Sequence, residues 1–213
     1  MNARVDQGVI LARGESRRMG RPKGLCPSGL SGLSCLQAVA GLYAAAGWPL
    51  AVVTTASLAE LYRPLLADGP PVLWITCAAG GDTALSVVAA LEALGETATH
   101  FWLHPIDLPQ VAPETLAWLA ASSRQAPGCV LVPEHEGVPG HPVVLPTAPF
   151  LSLRGTRPDG PMRPLLLASA CGEGPAQAPL RSVPVADPGV IADRDTPGDP
   201  GTDAPIPFDE GER

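Results

Sequence analysis

A glycine-rich segment near the start of the chain has the composition of a phosphate-binding loop. Residues 13–23 contain one acid and five basic side chains: Arg13, Arg17, Arg18, Arg21 and Lys23. Backbone N–H groups and cations in a loop between a strand and a helix can surround phosphate groups. The segment reads GESRRMGRPKG, which fits neither the GxxxxGK[ST] nor the GxGxxG spacing. From these residues alone, phosphate binding and a solvated basic loop remain equally open.

Two single residues could supply charge for such chemistry. Lys23 is the only lysine beside 13 arginines, which hints at a need for a compact point charge. Asp107 lies in the rigid sequence PIDLP after an apolar run. A carboxylate held there would suit a Mg²⁺ ion that bridges protein and phosphates. The alternative is an aspartate that caps the following turn or helix.

Alternating apolar and amphipathic segments predict the elements that would position these residues. Strands are expected at 8–12, 50–54, 72–75, 100–103 and 129–132, with helices at 34–46, 57–67, 83–94 and 113–122. This βαβαβαβαβ order predicts a three-layer αβα domain with a mostly parallel, Rossmann-like sheet. Ligands of such sheets bind beyond the carboxyl ends of the strands. The basic loop and the Asp107 loop should therefore share one edge.

Composition predicts one domain over residues 1–195 and an acidic, proline-rich tail over 196–213 that is expected to be disordered. The net charge of −7 argues against a binder of long nucleic acids. The five cysteines include no CxxC pair, and no apolar run is long enough for a membrane span. We therefore expect a cytoplasmic protein with reduced thiols that contacts neither nucleic acid nor membrane.

Five segments, taken in order, resemble the nucleotidyltransferases of molybdenum cofactor biosynthesis. Residues 11–23, LARGESRRMGRPK, are similar to the signature LAAGxSxRMGxPK of that family. Residues 105–109 resemble its PxDxP metal loop, and residues 140–143 its GHPV segment. Asp159 and Arg163, followed by PLL, match the spacing of GDxGxR-x-LL, and residues 193–199 resemble DxDTPxD. The family comprises molybdopterin cytidylyltransferases and guanylyltransferases with an NTP-transferase domain and the nucleotide-diphospho-sugar transferase fold.

The resemblance implies a role for each matching residue. Lys23 would neutralise the departing pyrophosphate, and Asp107 would hold Mg²⁺ on the α-phosphate, with Asp195 as a second ligand or a cap of the last turn. His141 and Arg163 would serve a phosphorylated acceptor such as molybdopterin, or Arg163 would pair with Asp159. The nucleotide, CTP or GTP, would contact a wider set: Leu11, Ala12, Arg13, Gly14, Ser16, Arg18, Gly81 and Asp82.

Two departures from the family pattern bear on function. Arg13 stands where the family has a small residue, which distinguishes the enzymes that use CTP from those that use GTP. The resemblance therefore does not determine the base of the nucleotide. Asp82 stands where the family has a serine. These changes motivate the alternative of a catalytically silent relative that binds nucleotide or cofactor as a partner of a molybdoenzyme. A third possibility keeps the fold and uses a sugar phosphate or a phosphorylated small acid as acceptor.

Several other residues are expected to have no part in the chemistry. His100 and His104 fall in a strand about 13 Å apart, so they should not share a metal. Cys26 is expected to be a surface thiol. The four tryptophans are expected to lie in the core.

Overall fold

A computed structural model describes residues 4–14, 21–30, 32–79, 83–158, 160–174 and 176–193. Five predicted site residues lie outside this described part: Ser16, Arg18, Gly81, Asp82 and Asp195. Asp159 and the predicted tail also lie outside it.

The described chain contains eight strands and six α-helices. The strands are β1 (Asp6–Leu11), β2 (Leu50–Thr54), β3 (Val72–Thr76), β4 (His100–Pro105), β5 (Val130–His135), β6 (Val138–Pro139), β7 (Val143–Pro146) and β8 (Leu180–Pro184). The helices are α1 (Cys35–Ala45), α2 (Ala56–Tyr62), α3 (Thr83–Leu94), α4 (Pro113–Gln125), α5 (Thr147–Phe150) and α6 (Met162–Ala170). The predicted order of the first nine elements is therefore confirmed.

Local sequence explains several of these boundaries. Ser34 caps α1 by accepting from the Gln37 backbone, and the Gln37 side chain accepts from the Ser34 backbone in return. Pro113 lies at the start of α4, where its missing N–H costs nothing. The helix expected over 57–67 is shorter than predicted. It ends at Tyr62, and the segment Arg63–Leu66 continues as a 3-10 turn that contains a proline.

All eight strands form one mixed sheet in the order β3-β2-β1-β4-β7-β5, with β8 on the far side of β5 and β6 extending the β5 hairpin. Strands β1 to β4 are mutually parallel, and β7 runs antiparallel to both β4 and β5. The prediction of a mostly parallel sheet between helices is confirmed. The position of β7 between β4 and β5 was not anticipated. Its antiparallel direction follows because the chain turns back at Glu136 and Gly137 and then returns along β5, whereas its place beside β4 comes from long-range pairing.

The core divides into two apolar clusters, one on each face of the sheet. Ile10 and Trp102 belong to one cluster, whereas their neighbours Val9 and Phe101 belong to the other. This separation follows because successive strand residues point to opposite faces. In the described part of the chain, no helix is long and apolar enough to cross a membrane.

Two expectations about burial were wrong. Cys26 is 1% exposed rather than a surface thiol, because its loop packs beneath α1 and Tyr62. Trp118 is 57% exposed on the outer side of α4, whereas Trp102 is fully buried. No disulfide links the five cysteines, all of which lie in the described part.

Candidate active site

Asp107 lies in a tight turn just beyond the carboxyl ends of β1 and β4. The backbone N–H of Ile106 donates to the Leu11 carbonyl at 3.2 Å, which joins the turn to the end of β1. The N–H of Leu108 donates to the Pro105 carbonyl at 3.2 Å and closes the turn. The Asp107 carboxylate is therefore fixed at the edge of the sheet where the sequence predicted it.

Lys23 reaches the same place through a close backbone approach at Gly24. The segment Lys23–Leu25 forms a 3-10 turn, and the Gly24 N–H donates to the Tyr62 hydroxyl at 3.3 Å. A Cβ on Gly24 would stand 2.7 Å from the Tyr62 ring and 2.8 Å from Ile106 Cδ1. Such distances exclude any side chain without rearrangement, so only glycine lets this turn pack against the residue before Asp107.

An ion pair joins these two residues, which are 84 positions apart in the sequence. Lys23 Nζ donates to Asp107 Oδ2 at 2.6 Å, and the side chains are 18% and 22% exposed. A charge-assisted hydrogen bond of this length is strong for its kind. The structure thus brings together the two residues that the sequence singled out for catalysis.

The residues after β1 lie at the same edge of the sheet as this pair. The Ala12 N–H donates to the Val53 carbonyl at 2.9 Å, and the Ala12 carbonyl accepts from Thr54 Oγ1 at 2.8 Å. These bonds fix Ala12 to the end of β2. Gly14, the next glycine, is exposed, and a Cβ there would meet nothing within 4 Å.

Arg13 points toward α3 and the segment after β3. Its guanidinium donates to the Ser86 hydroxyl at 3.1 Å and to the Ala78 carbonyl at 2.8 Å. The side chain therefore connects the loop after β1 with the loop after β3. From the sequence, Arg13 was expected to contact the nucleotide, and these two protein contacts were not anticipated. No pattern in the sequence could have indicated them.

His141 lies near enough to Asp107 for the carboxylate charge to act on its imidazole. Its backbone N–H donates to the Val190 carbonyl at 2.9 Å, and a Cβ on Gly140 would lie 2.4 Å from that same oxygen. The glycine of the GHPV segment is therefore required by a close backbone approach. Burial lowers the pKa of His141, whereas the negative charge of Asp107 acts in the opposite direction.

An apolar pocket with a volume of about 380 Å³ opens beside His141. Its polar lining comprises Glu134, His141, Arg163, Ser182 and Thr83, and its apolar lining includes Leu11, Leu103, Val143, Met162 and Leu166. His141 and Arg163, which the family resemblance assigns to the acceptor, thus line one cavity. Leu11, assigned to the nucleotide, lines this cavity as well.

Glu134 and Ser182 also line the pocket, and neither was among the predicted site residues. The Ser182 hydroxyl donates to Glu134 Oε2 at 2.6 Å across the parallel strands β5 and β8. The location of Glu134 near the carboxyl end of β5 was a usable signal, because ligands bind at that edge.

The residues of this site fit a divalent metal that also binds substrate phosphates. Within the described ranges, no three His, Cys, Asp or Glu side chains cluster closely enough to form a protein-only metal cage. Mg²⁺ is usually held by one or two carboxylates, with water and substrate phosphates as the other ligands. The partly exposed Asp107 carboxylate supplies one such hard oxygen donor, so the site fits an ion that arrives with nucleotide. His100 and His104 each have a protein partner at Nε2, since the Pro127 and Leu108 carbonyls accept from them.

Comparison with known proteins decides the family. A family model described as the MobA-like NTP transferase domain matches residues 8–172, a range that contains Lys23, Asp107, His141 and Arg163. The chain belongs to the MobA-like NTP transferase family. It is a nucleotidyltransferase. No curated protein matches its sequence significantly.

Solved structures agree with this MobA-like assignment. Rv0371c from Mycobacterium tuberculosis H37Rv is 28% identical, with a TM-score of 0.69 over 92% of this chain and 95% of that chain. Its homolog from Mycobacterium sp. strain JC1 is 27% identical, with a TM-score of 0.67 over 90% of each chain. Molybdopterin-guanine dinucleotide biosynthesis protein A from Archaeoglobus fulgidus, at 18% identity, has the same fold, with a TM-score of 0.59 over 91% of this chain and 94% of that chain. Rv0371c has also been solved in complex with manganese.

Proposed function

We propose that the protein transfers the NMP group of CTP or GTP to a phosphorylated acceptor, with molybdopterin as the best candidate, and releases pyrophosphate. Mg²⁺ or a similar divalent ion would bind Asp107 and add positive charge at the phosphate oxygens. The similarity to Rv0371c, which has been solved with manganese, supports a divalent metal.

The Lys23–Asp107 contact carries this proposal. The Lys23 ammonium and the Asp107 carboxylate meet at 2.6 Å, at the edge where parallel α/β sheets bind ligands. Nucleotidyl transfer requires both signs of charge at one point, because a metal must be anchored and a polyphosphate must be neutralised. The pair supplies both before any ligand binds.

The protein would contribute to this reaction mainly by positioning the two substrates and by stabilising the charge that develops on the phosphates. A phosphate oxygen of the acceptor would form a bond to the α-phosphorus, and the bond from that phosphorus to the bridging oxygen of pyrophosphate would break. Lys23 is placed to stabilise the negative charge that accumulates on the departing group. The backbone of Ala12, tied to β2, would hold the nucleoside at a fixed distance from this pair.

The pocket supports a flat acceptor body, whose ring faces would pack against the aliphatic walls while its polar edges meet Glu134, Ser182 and Thr83. Most of its walls are aliphatic, which suits a fused ring better than the hydroxyl groups of a sugar. Arg163 at the mouth would pair with the acceptor phosphate. These features favour molybdopterin over a sugar phosphate.

A thermal melt followed by an assay of pyrophosphate release tests the proposal. With Mn²⁺ or Mg²⁺ and CTP or GTP at 100 times Kd, we expect about 2.7 kcal/mol of stabilisation. That corresponds to an increase in Tm of about 5–10 °C. ATP and UTP serve as controls for the base. Pyrophosphate should appear only when metal, nucleotide and molybdopterin are all present; its absence under those conditions would refute the proposal.

Substitution of Arg13 distinguishes an active enzyme from a catalytically silent relative. If its bonds to Ala78 and Ser86 hold the nucleotide loops in place, Arg13→Ala should raise KM for the nucleotide about tenfold, the cost of roughly 1.4 kcal/mol. Arg124→Ala, at an exposed site on α4, is the matched control. Tighter nucleotide binding by Arg13→Ala would instead indicate that Arg13 blocks the pocket. That outcome would favour the nucleotide-binding partner of a molybdoenzyme.

A further inference from the structure

We propose that His104, held by Tyr43, is a positioning residue that fixes the Asp107 turn before metal and nucleotide bind. This inference rests on the proposed metal-binding role of Asp107. It concerns two side chains that lie outside the five motif segments, and from the sequence His104 was expected to have no part in the chemistry.

Both ring nitrogens of His104 have defined partners. The side chain is fully buried, with Nε2 at 2.8 Å from the Leu108 carbonyl and Nδ1 at 3.1 Å from the Tyr43 hydroxyl. A carbonyl oxygen can only accept, so Nε2 carries the proton. Nδ1 of the neutral ring must then accept from Tyr43. The contacts therefore define one tautomer and one ring orientation.

The charge state of the His104 ring supports the same tautomer and hydrogen bonds. Burial lowers the pKa of His104 to about 4, although the bond to Leu108 and the charge of Asp107 act against this shift. The ring is therefore neutral at any ordinary assay pH, and its hydrogen bonds do not change over that range.

Tyr43 is itself locked in place. It is fully buried in α1, and its ring lies so close to β1 that a Cβ on Gly8 would stand 2.8 Å from it. The Tyr43 and His104 rings meet edge to face, with centroids 5.7 Å apart. Packing against β1 thus fixes the tyrosine whose hydroxyl and ring contact the imidazole.

The hydrogen bond from His104 helps to fix the turn that carries Asp107. Its first half is attached to β1 through the Ile106–Leu11 bond, and its second half is attached to His104 through the Leu108 carbonyl. Asp107 lies between these two attachments. Partners that orient a metal ligand in this indirect way typically change metal affinity or activity 10–100-fold when they are removed.

Two substitutions at the same position separate positioning from stability. The amide of His104→Gln reaches roughly where Nε2 lies and can still donate to Leu108. The shorter amide of His104→Asn reaches where Nδ1 lies, so it keeps Tyr43 and loses Leu108. Both place an uncharged amide in the same buried site. His100→Asn is the matched control, because His100 is a buried histidine on the same strand with partners at both nitrogens, at the opposite end of β4.

Mn²⁺ affinity is the readout, measured by electron paramagnetic resonance on protein with bound nucleotide and by the Mn²⁺ dependence of pyrophosphate release. We expect about 10–100-fold weaker Mn²⁺ binding for His104→Asn. Binding should recover to within about threefold of the wild type for His104→Gln, and His100→Asn should match the wild type. On the unaltered protein, nitrogen-15 NMR should show the Nε2–H tautomer of His104.

Each contrary result overturns the inference. Wild-type Mn²⁺ affinity in His104→Asn, equal losses in both His104 variants, a loss as large in His100→Asn, or an Nδ1–H tautomer would do so. Should His104→Asn fail to fold, the comparison of His104→Gln with wild type and the tautomer still decide. Failure of the proposed function looks different, because the unaltered protein would then bind no Mn²⁺ with nucleotide and release no pyrophosphate.

Discussion

Replacing Asp107 with asparagine is expected to lower kcat/KM for nucleotidyl transfer by about 10²–10³-fold, the usual effect of removing one key electrostatic group. The amide has the shape of the carboxylate but lacks the charge that pairs with Lys23 at 2.6 Å and would hold the metal. The measurement is pyrophosphate release over a series of Mg²⁺ and nucleotide concentrations.

The fold should survive this change. Both side chains of the pair are partly exposed, so solvent screening limits the contribution of the pair to stability to about 0–1 kcal/mol. Asp68→Asn, an exposed aspartate before β3, removes the same charge elsewhere and should leave activity intact. Asp107→Asn activity within threefold of wild type would contradict the assignment.

Lys23 and Asp107 should also act as one unit. Groups that work together in catalysis give strongly non-additive losses. The double variant with Lys23→Ala and Asp107→Asn should therefore be little slower than the slower single variant. Fully multiplicative losses would show that the two residues act independently.

Lowering the pH from 7 to 4 is expected to reduce the free energy of unfolding by about 3 kcal/mol through His104 alone. Burial lowers its pKa from 6.5 to about 4, so between these values the unfolded chain takes up a proton and the folded protein does not. The stabilisation is fully present above pH 6.5 and is lost as the pH falls toward 4. Burial lowers the pKa values of His100 and His141 too, which adds loss in the same direction.

Urea unfolding at several pH values between 7 and 4.5 measures this effect. Comparison of wild type with His104→Gln isolates the contribution of His104, since the glutamine does not titrate. The stability of the variant should fall less steeply, by up to about 1.4 kcal/mol per pH unit. His135→Gln, at a half-buried site on β5, is the control. Parallel curves for wild type and His104→Gln would show that the imidazole takes up its proton without loss of the fold.

Much of the architecture follows from local sequence. The βαβ alternation, the Ser34 cap and the extent of α3 are properties of short segments, because hydrophobic period and capping chemistry act over a few residues. The alternation also requires that the carboxyl ends of β1 and β4 share an edge. For that reason the sequence alone could place Lys23 and Asp107 near one another, and the ordered motifs could indicate the family.

Other features depended on which distant segments came into contact. The sequence predicted a strand at 129–132, but only long-range pairing decided that β7 lies between β4 and β5. The direction of Arg13, the burial of Cys26 and the hydrogen bonds of His104 likewise depend on partners far along the chain. Gly24 and Gly140 are required by approaches to Tyr62 and Val190 that no local pattern encodes. Local periodicity carries no record of such contacts, and for this reason the tertiary structure alone decided how the site is held together.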